Sequence, residues 1–141
     1  MLLQFTKEGA LANMNTTDNV PVRTRSIGDT AVIYASDYLN KLSGERIERE
    51  CKRQLESGSR TLIINFRDTE LVNSIGVSIL VGVIDAAEQH TARLIFSNVN
   101  SHTVNLFEML GLTRHVQIAK DESEALSWVE PQAKAVSEAR P

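Results

Sequence analysis

The chain has 141 residues, enough for one ordinary domain with a sizeable core and little room for a second. Hydrophobic residues make up 42% and charged residues 23%, a globular balance that excludes wholesale disorder. Fifteen Lys and Arg against eighteen Asp and Glu leave a formal net charge of -3, without the basic excess expected of a nucleic-acid binder.

The only basic clusters, Arg23/Arg25 and Lys52/Arg53, are short. The longest apolar run, Ile79 to Ile84, is six residues, far below the length needed to span a bilayer, so no membrane insertion is expected. The N-terminus carries an early Lys and no sustained apolar stretch, unlike a secretory signal. Cys51 is the only cysteine and cannot form an intramolecular disulfide, which fits a reducing, cytoplasmic setting.

Residues 1–18 lack periodicity and read as a flexible N-terminal tail. Residues 131–141, bounded by Pro131 and Pro141, read as a C-terminal tail, leaving one domain over 19–130. In Val20 to Ile27, Val20, Val22, Thr24 and Ser26 alternate with polar or basic neighbours, predicting an edge strand. Gly28-Asp29 signals a turn, and Thr30 to Tyr34 completes a hairpin. Ile47, Cys51 and Leu55 recur every four residues, predicting an amphipathic helix from Ser43 to Ser57 with Ser43 as N-cap and Gly58 as the stop. Thr61 to Phe66 is a continuous β-rich run, as expected of a strand buried on both faces.

Ser74 to His90 follows as a helix with Ile79, Leu80, Val83, Ile84 and Ala87 on one stripe. Arg93 to Ser97 is a further buried strand, and Ser101 to Leu110 a helix stopped by Gly111. Val116 to Ile118 and Asp121 to Val129 supply a last strand and helix. The order β-β-α-β-α-β-α-β-α predicts an α/β fold, a mixed and mostly parallel sheet with about four helices packed against it.

Catalytic and metal chemistry find no pattern. His90, His102 and His115 are widely spaced with no carboxylate at ligand spacing, so no metal site is expected. The glycines Gly76 and Gly82 lie inside a helical pattern with no Lys-Ser/Thr after them, which rules out a phosphate loop. No Gly-x-Ser-x-Gly elbow exists, and Asp68 and Glu70 read as solvated loop charges. The chain is therefore read as a non-enzyme without cofactors.

One segment stands apart: Phe66-Arg-Asp-Thr-Glu-Leu-Val-Asn-Ser-Ile-Gly-Val-Ser78. A buried strand ends, a loop follows, and Asn73-Ser74 opens a long helix, where either side chain can accept a backbone N–H. Gly76, Ser78 and Gly82 keep its early turns small, and interior glycine costs about 1 kcal/mol against alanine. Close approach by another surface is a reason for that cost, and the sequence predicts an exposed first turn at Gly76. A phosphate on a hydroxyl here would meet free N–H groups and the positive end of the helix dipole.

With these pieces in order, the chain resembles the STAS domains, and among them the small bacterial anti-sigma factor antagonists. The resemblance rests on the strand Leu62 to Phe66, the loop-helix start Asn73-Ser74-Ile75-Gly76-Val77-Ser78, the strand Arg93 to Phe96, the turn Asn98-Val99-Asn100-Ser101, and Phe107-Glu108-Met109-Leu110-Gly111-Leu112. It implies a phosphorylated serine at Ser74 and a partner surface of Asn73, Ser74, Ile75, Gly76, Val77 and Ser78. Implied partners are an anti-sigma factor or serine kinase, a PP2C-like phosphatase, and further copies of the chain as a homo-oligomer. The family pattern has aspartate where Asn73 stands, a second hydroxyl at Ile75 and a glycine at Ser78. Those departures keep a second class in view: an unphosphorylated accessory or scaffold subunit, for example of a lipid-importing ABC transporter or a signalling complex.

Overall fold

The structure, a computed structural model, describes residues 22–129; both expected tails fall outside the described residues. Strands β1 (Thr24–Ile27) and β2 (Thr30–Tyr34) form the expected hairpin, antiparallel with Ile27 opposite Thr30. Gly28 takes φ +60 at the first turn position, where a type II′ hairpin places glycine. The predicted strand start at Val20 lies outside the described residues, and pairing begins at Thr24.

Helix α1 (Lys41–Glu56) leads to β4 (Thr61–Asn65), and helix α2 (Ser74–Gln89) to β6 (Arg93–Ser97). Helix α3 (Ser101–Met109) is followed by a 3₁₀ turn at Leu112–Arg114, strand β7 (Gln117–Ala119) and a last helix, α4, over 122–129. Two short strands complete the set: β3 (Tyr38–Leu39) and β5 (Leu71–Val72), which pair in parallel as a separate ribbon. The main sheet runs β1-β2-β4-β6-β7, parallel except for β1, with four helices packed on it as expected.

Register explains why the three inner strands read as continuous apolar runs. Ala31, Leu62 and Leu94 align, as do Ile33, Ile64 and Phe96, and these face α1, α2 and α3. The alternating partners Val32, Ile63 and Ile95 face the other way, onto Ala125 and Leu126 of α4. Because helices cover both faces, neither set of side chains is left to water. Phe66, Phe96 and Phe107 meet in the larger core with ring centroids 5.1 to 6.1 Å apart, near the edge-to-face arrangement aromatic rings prefer.

The start of α1 corrects one expectation. Asn40, not Ser43, is the N-cap: its side chain accepts the Ser43 N–H at 3.1 Å. Ser43 Oγ in turn accepts the Asn40 N–H at 3.0 Å, so the serine is the reciprocal member of a capping box. The predicted stop holds, with Ser57 as C-cap and Gly58 at φ +104.

Helices α1 and α2 pack closely where side chains are small. A methyl on Gly44 would press on Ile79, and one on Gly82 would meet the Glu48 carboxylate. On the inner side of α1, Cys51 is fully buried, and desolvation, with the charges of Glu50 and Glu48 adding to it, pushes its thiol well above the ordinary range. The native protein should therefore show negligible reaction with Ellman's reagent at pH 8, while the guanidinium-unfolded chain releases one equivalent. Rapid release from the native state would mean that α1 opens readily from the sheet.

Candidate functional site

The start of α2 is built from two loops held against each other. The loop after β4 lies along the loop after β2 through three backbone bonds: Glu70 N–H to Asp37 O at 2.8 Å, Leu71 N–H to Asp37 O at 3.3 Å, and Asn73 N–H to Leu39 O at 3.0 Å. Thr69 Oγ1 adds a bond to Ser36 O at 2.6 Å. The β3–β5 ribbon is this contact, and it brings the chain to Asn73 in extended conformation.

Asn73 is the N-cap of α2, with its Oδ1 accepting the Gly76 N–H at 2.8 Å and its carbonyl accepting the Val77 N–H at 3.0 Å. Its Nδ2 donates to the Tyr38 hydroxyl at 3.2 Å, which ties the cap to the ribbon. Capping therefore falls to Asn73 and leaves Ser74 uncommitted. Ser74 is exposed, and its hydroxyl has no partner among the described residues. The N–H groups of Ser74 and Ile75 likewise have none, as the first turn of a helix leaves its leading donors unpaired.

The six residues singled out in the sequence do not share one environment. Ser74, Ile75 and Ser78 are exposed, and Ser78 sits one turn on from Ser74 along the same helix face. Val77 is half-buried and packs on the main core. Gly76 is buried, which corrects the expected exposed first turn. The surface that approaches it belongs to the chain itself: a methyl at Gly76 would fall on the Leu39 carbonyl oxygen. That same oxygen accepts the Asn73 N–H, so one backbone atom receives the helix entry and sets its distance.

Two apolar residues that the sequence reading passed over also belong here. Tyr38 and Leu71 are register partners in the ribbon, and Leu71 is 54% exposed. With Ile75 at 47%, they leave half-exposed hydrophobic side chains on the ribbon and on the first turn of α2. The available signal was a Tyr and a Leu inside otherwise polar loops. Elsewhere, His115 Nδ1 pairs with Glu88 Oε2 at 3.0 Å and His90 Nδ1 lies 3.0 Å from the carbonyl of Ala86 in its own helix. Among the described residues no three His, Cys, Asp or Glu side chains gather as a metal site, and no helix is long and apolar enough to cross a membrane.

The STAS domain profile matches residues 21–125, and the chain belongs to that family. Solved structures share the fold. SpoIIAA, a Bacillus cell fate determinant solved in its phosphorylated form, is 24% identical over 77% of this chain and 98% of its own, with a TM-score of 0.62. An RsbS variant of Moorella thermoacetica is 16% identical over 82% of this chain and 99% of its own, with a TM-score of 0.70. A chain from the stressosome, a signal integration and transduction hub, is 15% identical over 79% and 98%, with a TM-score of 0.64. No curated protein matches the sequence.

The glycine contacts carry a paired prediction. Gly76→Ala gains helix propensity worth about 1 kcal/mol but drives a methyl into a main-chain oxygen. Overpacking of that kind costs about 1–3 kcal/mol, and urea unfolding should show net destabilisation. Gly82→Ala meets only the movable end of Glu48 and should be neutral or stabilising. Equal responses from the two variants would mean that the Leu39 contact yields without cost.

Proposed function

We propose that this STAS domain is a partner-switching regulator, not an enzyme, that binds an anti-sigma factor or related serine kinase and is released when Ser74 is phosphorylated. The reading is carried by one observation: an exposed serine hydroxyl on the first residue of α2, beside two unpartnered N–H groups and outside the capping bond. The shared fold with SpoIIAA, which a structure of its unphosphorylated form names as an anti-sigma factor antagonist, supports the same class.

Phosphorylation adds roughly -1.5 to -2 charges at neutral pH. The Ser74 and Ile75 amides and the helix dipole favour a negative group at this end, so the free domain can carry the phosphate without unfolding. A partner covering Ile75, Leu71 and Tyr38 would have to strip water from that charge. Burying an ion without a matched counter-ion costs several kcal/mol, which is enough to dissociate an ordinary signalling complex. A PP2C-like phosphatase would restore binding, and the cytoplasm is where such partners act. Within the partner surface of residues 73–78, Gly76 contributes through its backbone and Val77 by holding the helix on the core.

A second reading, an accessory or scaffold subunit that is never phosphorylated, draws on Asn73. In place of a carboxylate there stands an amide whose Nδ2 is engaged by Tyr38, a bond that braces the helix start. The match to a stressosome chain points the same way, toward assembly with other proteins and further copies of itself. Mass spectrometry of the protein captured with its partners from its native cells separates the two: phosphate on Ser74 supports the switch, and its absence under every growth condition supports the scaffold.

For the switch, Ser74→Ala should lose at most about 1 kcal/mol of stability, because the cap is Asn73, and should bind the kinase constitutively. Ser74→Asp should bind about tenfold more weakly, a difference near 1.4 kcal/mol by calorimetry. Affinity equal to the unmodified protein sinks the release mechanism.

Asn73→Asp keeps a capping oxygen and places a negative charge at the helix start, worth about 0.3–1 kcal/mol of stability. Its rate of Ser74 phosphorylation should be unchanged or raised in a kinase assay. A sharp fall would show that charge beside the serine hinders the site.

A further inference from the structure

The face of α2 that begins at Ser74 does not end with the first turn. Ser78, Val81, Asp85 and Glu88 follow Ser74 at helical spacing and all are exposed, so one solvent-facing stripe runs the length of the helix. Its far half borders a groove of about 260 Å³ between α2 and the turn that follows α3. We propose that this groove docks a basic amphipathic segment of a partner protein, whether or not Ser74 carries a phosphate.

The groove owes its shape to a glycine between two leucines. Gly111 takes φ +80, the left-handed conformation that ends a helix, and turns the chain after α3. Leu112 then enters the core, 4% exposed, while Leu110 stays outside at 52%. Buried Ile84 and Leu112 supply the floor, and half-exposed Val81 and Leu110 supply the lips. Glu88 Oε2 meets His115 Nδ1 at 3.0 Å and so joins the α2 wall to the wall after α3. Beside the groove stands Met109, at 83% the most exposed large hydrophobic residue among those described. Methionine suits an adaptable contact, and apolar residues gathered along one groove mark an interaction site where scattered ones do not.

Volume and charge select the occupant. The groove is smaller than the roughly 300–1,000 Å³ of small-molecule sites, so its natural guests are aliphatic side chains of another polypeptide. Its lining holds Asp85 and Glu88 and neither Lys nor Arg. Asp85 gives one oxygen to Gln89 Nε2 at 3.1 Å, a neutral donor that leaves the charge in place. His115 offsets Glu88 only when protonated. A segment with leucine-like anchors and flanking Lys or Arg therefore matches the groove, and one with flanking carboxylates is repelled. A second copy related by a two-fold axis would set these carboxylates against their own duplicates. An apolar helix stripe laid in a groove, with basic residues along the acidic wall, satisfies both halves of the surface.

The groove is also out of reach of the phosphate invoked above, and the proposal does not rest on that reading. Val81 lies seven residues from Ser74, about 10 Å along the helix axis, and Glu88 about 21 Å. Charges at that range are screened at physiological salt, where the Debye length is about 8 Å. A partner seated here would stay attached while Ser74 changes state.

The test is amide NMR on the full chain, titrated with two synthetic peptides of about four helical turns each. Both carry leucine at the i, i+3, i+4 and i+7 positions that anchor a helix in a groove; lysine fills the remaining positions of one and glutamate those of the other. Expected are saturable shifts of the Val81, Leu110 and Gly111 amides, with the lysine peptide binding at least about tenfold more tightly than the glutamate peptide. Leu110→Ser should weaken the lysine peptide about tenfold while the melting temperature holds, because the side chain is half-exposed. Asp85→Asn should narrow the gap between the two peptides. Ser74→Asp should bind the lysine peptide unchanged, which separates failure here from failure of the phosphorylation switch. The proposal is overturned by absent or unsaturable shifts, by equal binding of the glutamate peptide, by indifference to Leu110→Ser, or by loss of binding in Ser74→Asp. Two other occupants would also overturn it. Shifts that grow with protein concentration alone and vanish in Leu110→Ser would assign the groove to a second copy, and through-space contacts in the free chain between Leu110 and residues outside 22–129 would assign it to the chain itself.

Discussion

The parallel register of β2, β4 and β6 is the constraint on which the remaining geometry depends. Tyr34, Asn65 and Ser97 stand in one line across the sheet, so three chain segments leave it side by side and at the same level. Loops that depart together can bond to each other before any helix begins. The loops after β2 and β4 do so, and their bond ladder is the β3–β5 ribbon. A slip of two residues in β4 would move the whole loop by one strand repeat and separate Asn73 from Leu39.

The same line of strand ends divides the edge between two kinds of chemistry. Toward α2, the loops close into a compact entry in which Asn73, Leu39 and Gly76 leave no space, and function can only reside on the outer surface. Toward α4, the strand ends carry polar groups: Asn65 and Ser97 follow the apolar Ile63 and Ile95 on the same face, and an opening remains. The Arg25–Glu122–Asn65 chain of bonds holds α4 to the sheet there without filling the space beside it. One loop, residues 66–73, borders both regions, with Arg67 and Asp68 at one end and the capping asparagine at the other.

Much of this was legible in the chain because burial on both sheet faces leaves a coarse mark. Runs such as Thr61 to Phe66 admit few readings when every residue is apolar or β-favouring, and helix stripes such as Ile47, Cys51 and Leu55 are periodic. Asn73-Ser74 showed itself as a helix start, although pattern alone left the choice of cap between the two. The capping box at α1 misled for a related reason, since Asn40 and Ser43 bond reciprocally and either resembles a cap. The ribbon was invisible: strands of two residues have no period, and their pairing depends on loops brought together by distant strands. Gly76 announced a close approach but not the identity of the neighbour. The cleft near α4 gave no signal, because its walls come from separate segments with no common spacing.

The contact at Gly76 also bears on how such a sequence can drift. What lies nearest in the space above the glycine is a carbonyl oxygen, which every amino acid at position 39 would present alike, with the Leu39 side chain behind it. Selection therefore acts on only one member of the pair. Position 39 is constrained by its own place in the core, where its side chain is fully buried, and any residue that fits there preserves the helix entry. Position 76 has no such latitude, since a compensating change across the contact is not available when the neighbour is main chain. Two touching residues would thus be only weakly coupled in descendants of this chain, and a search for correlated substitutions would under-report the junction on which the α2 entry is built.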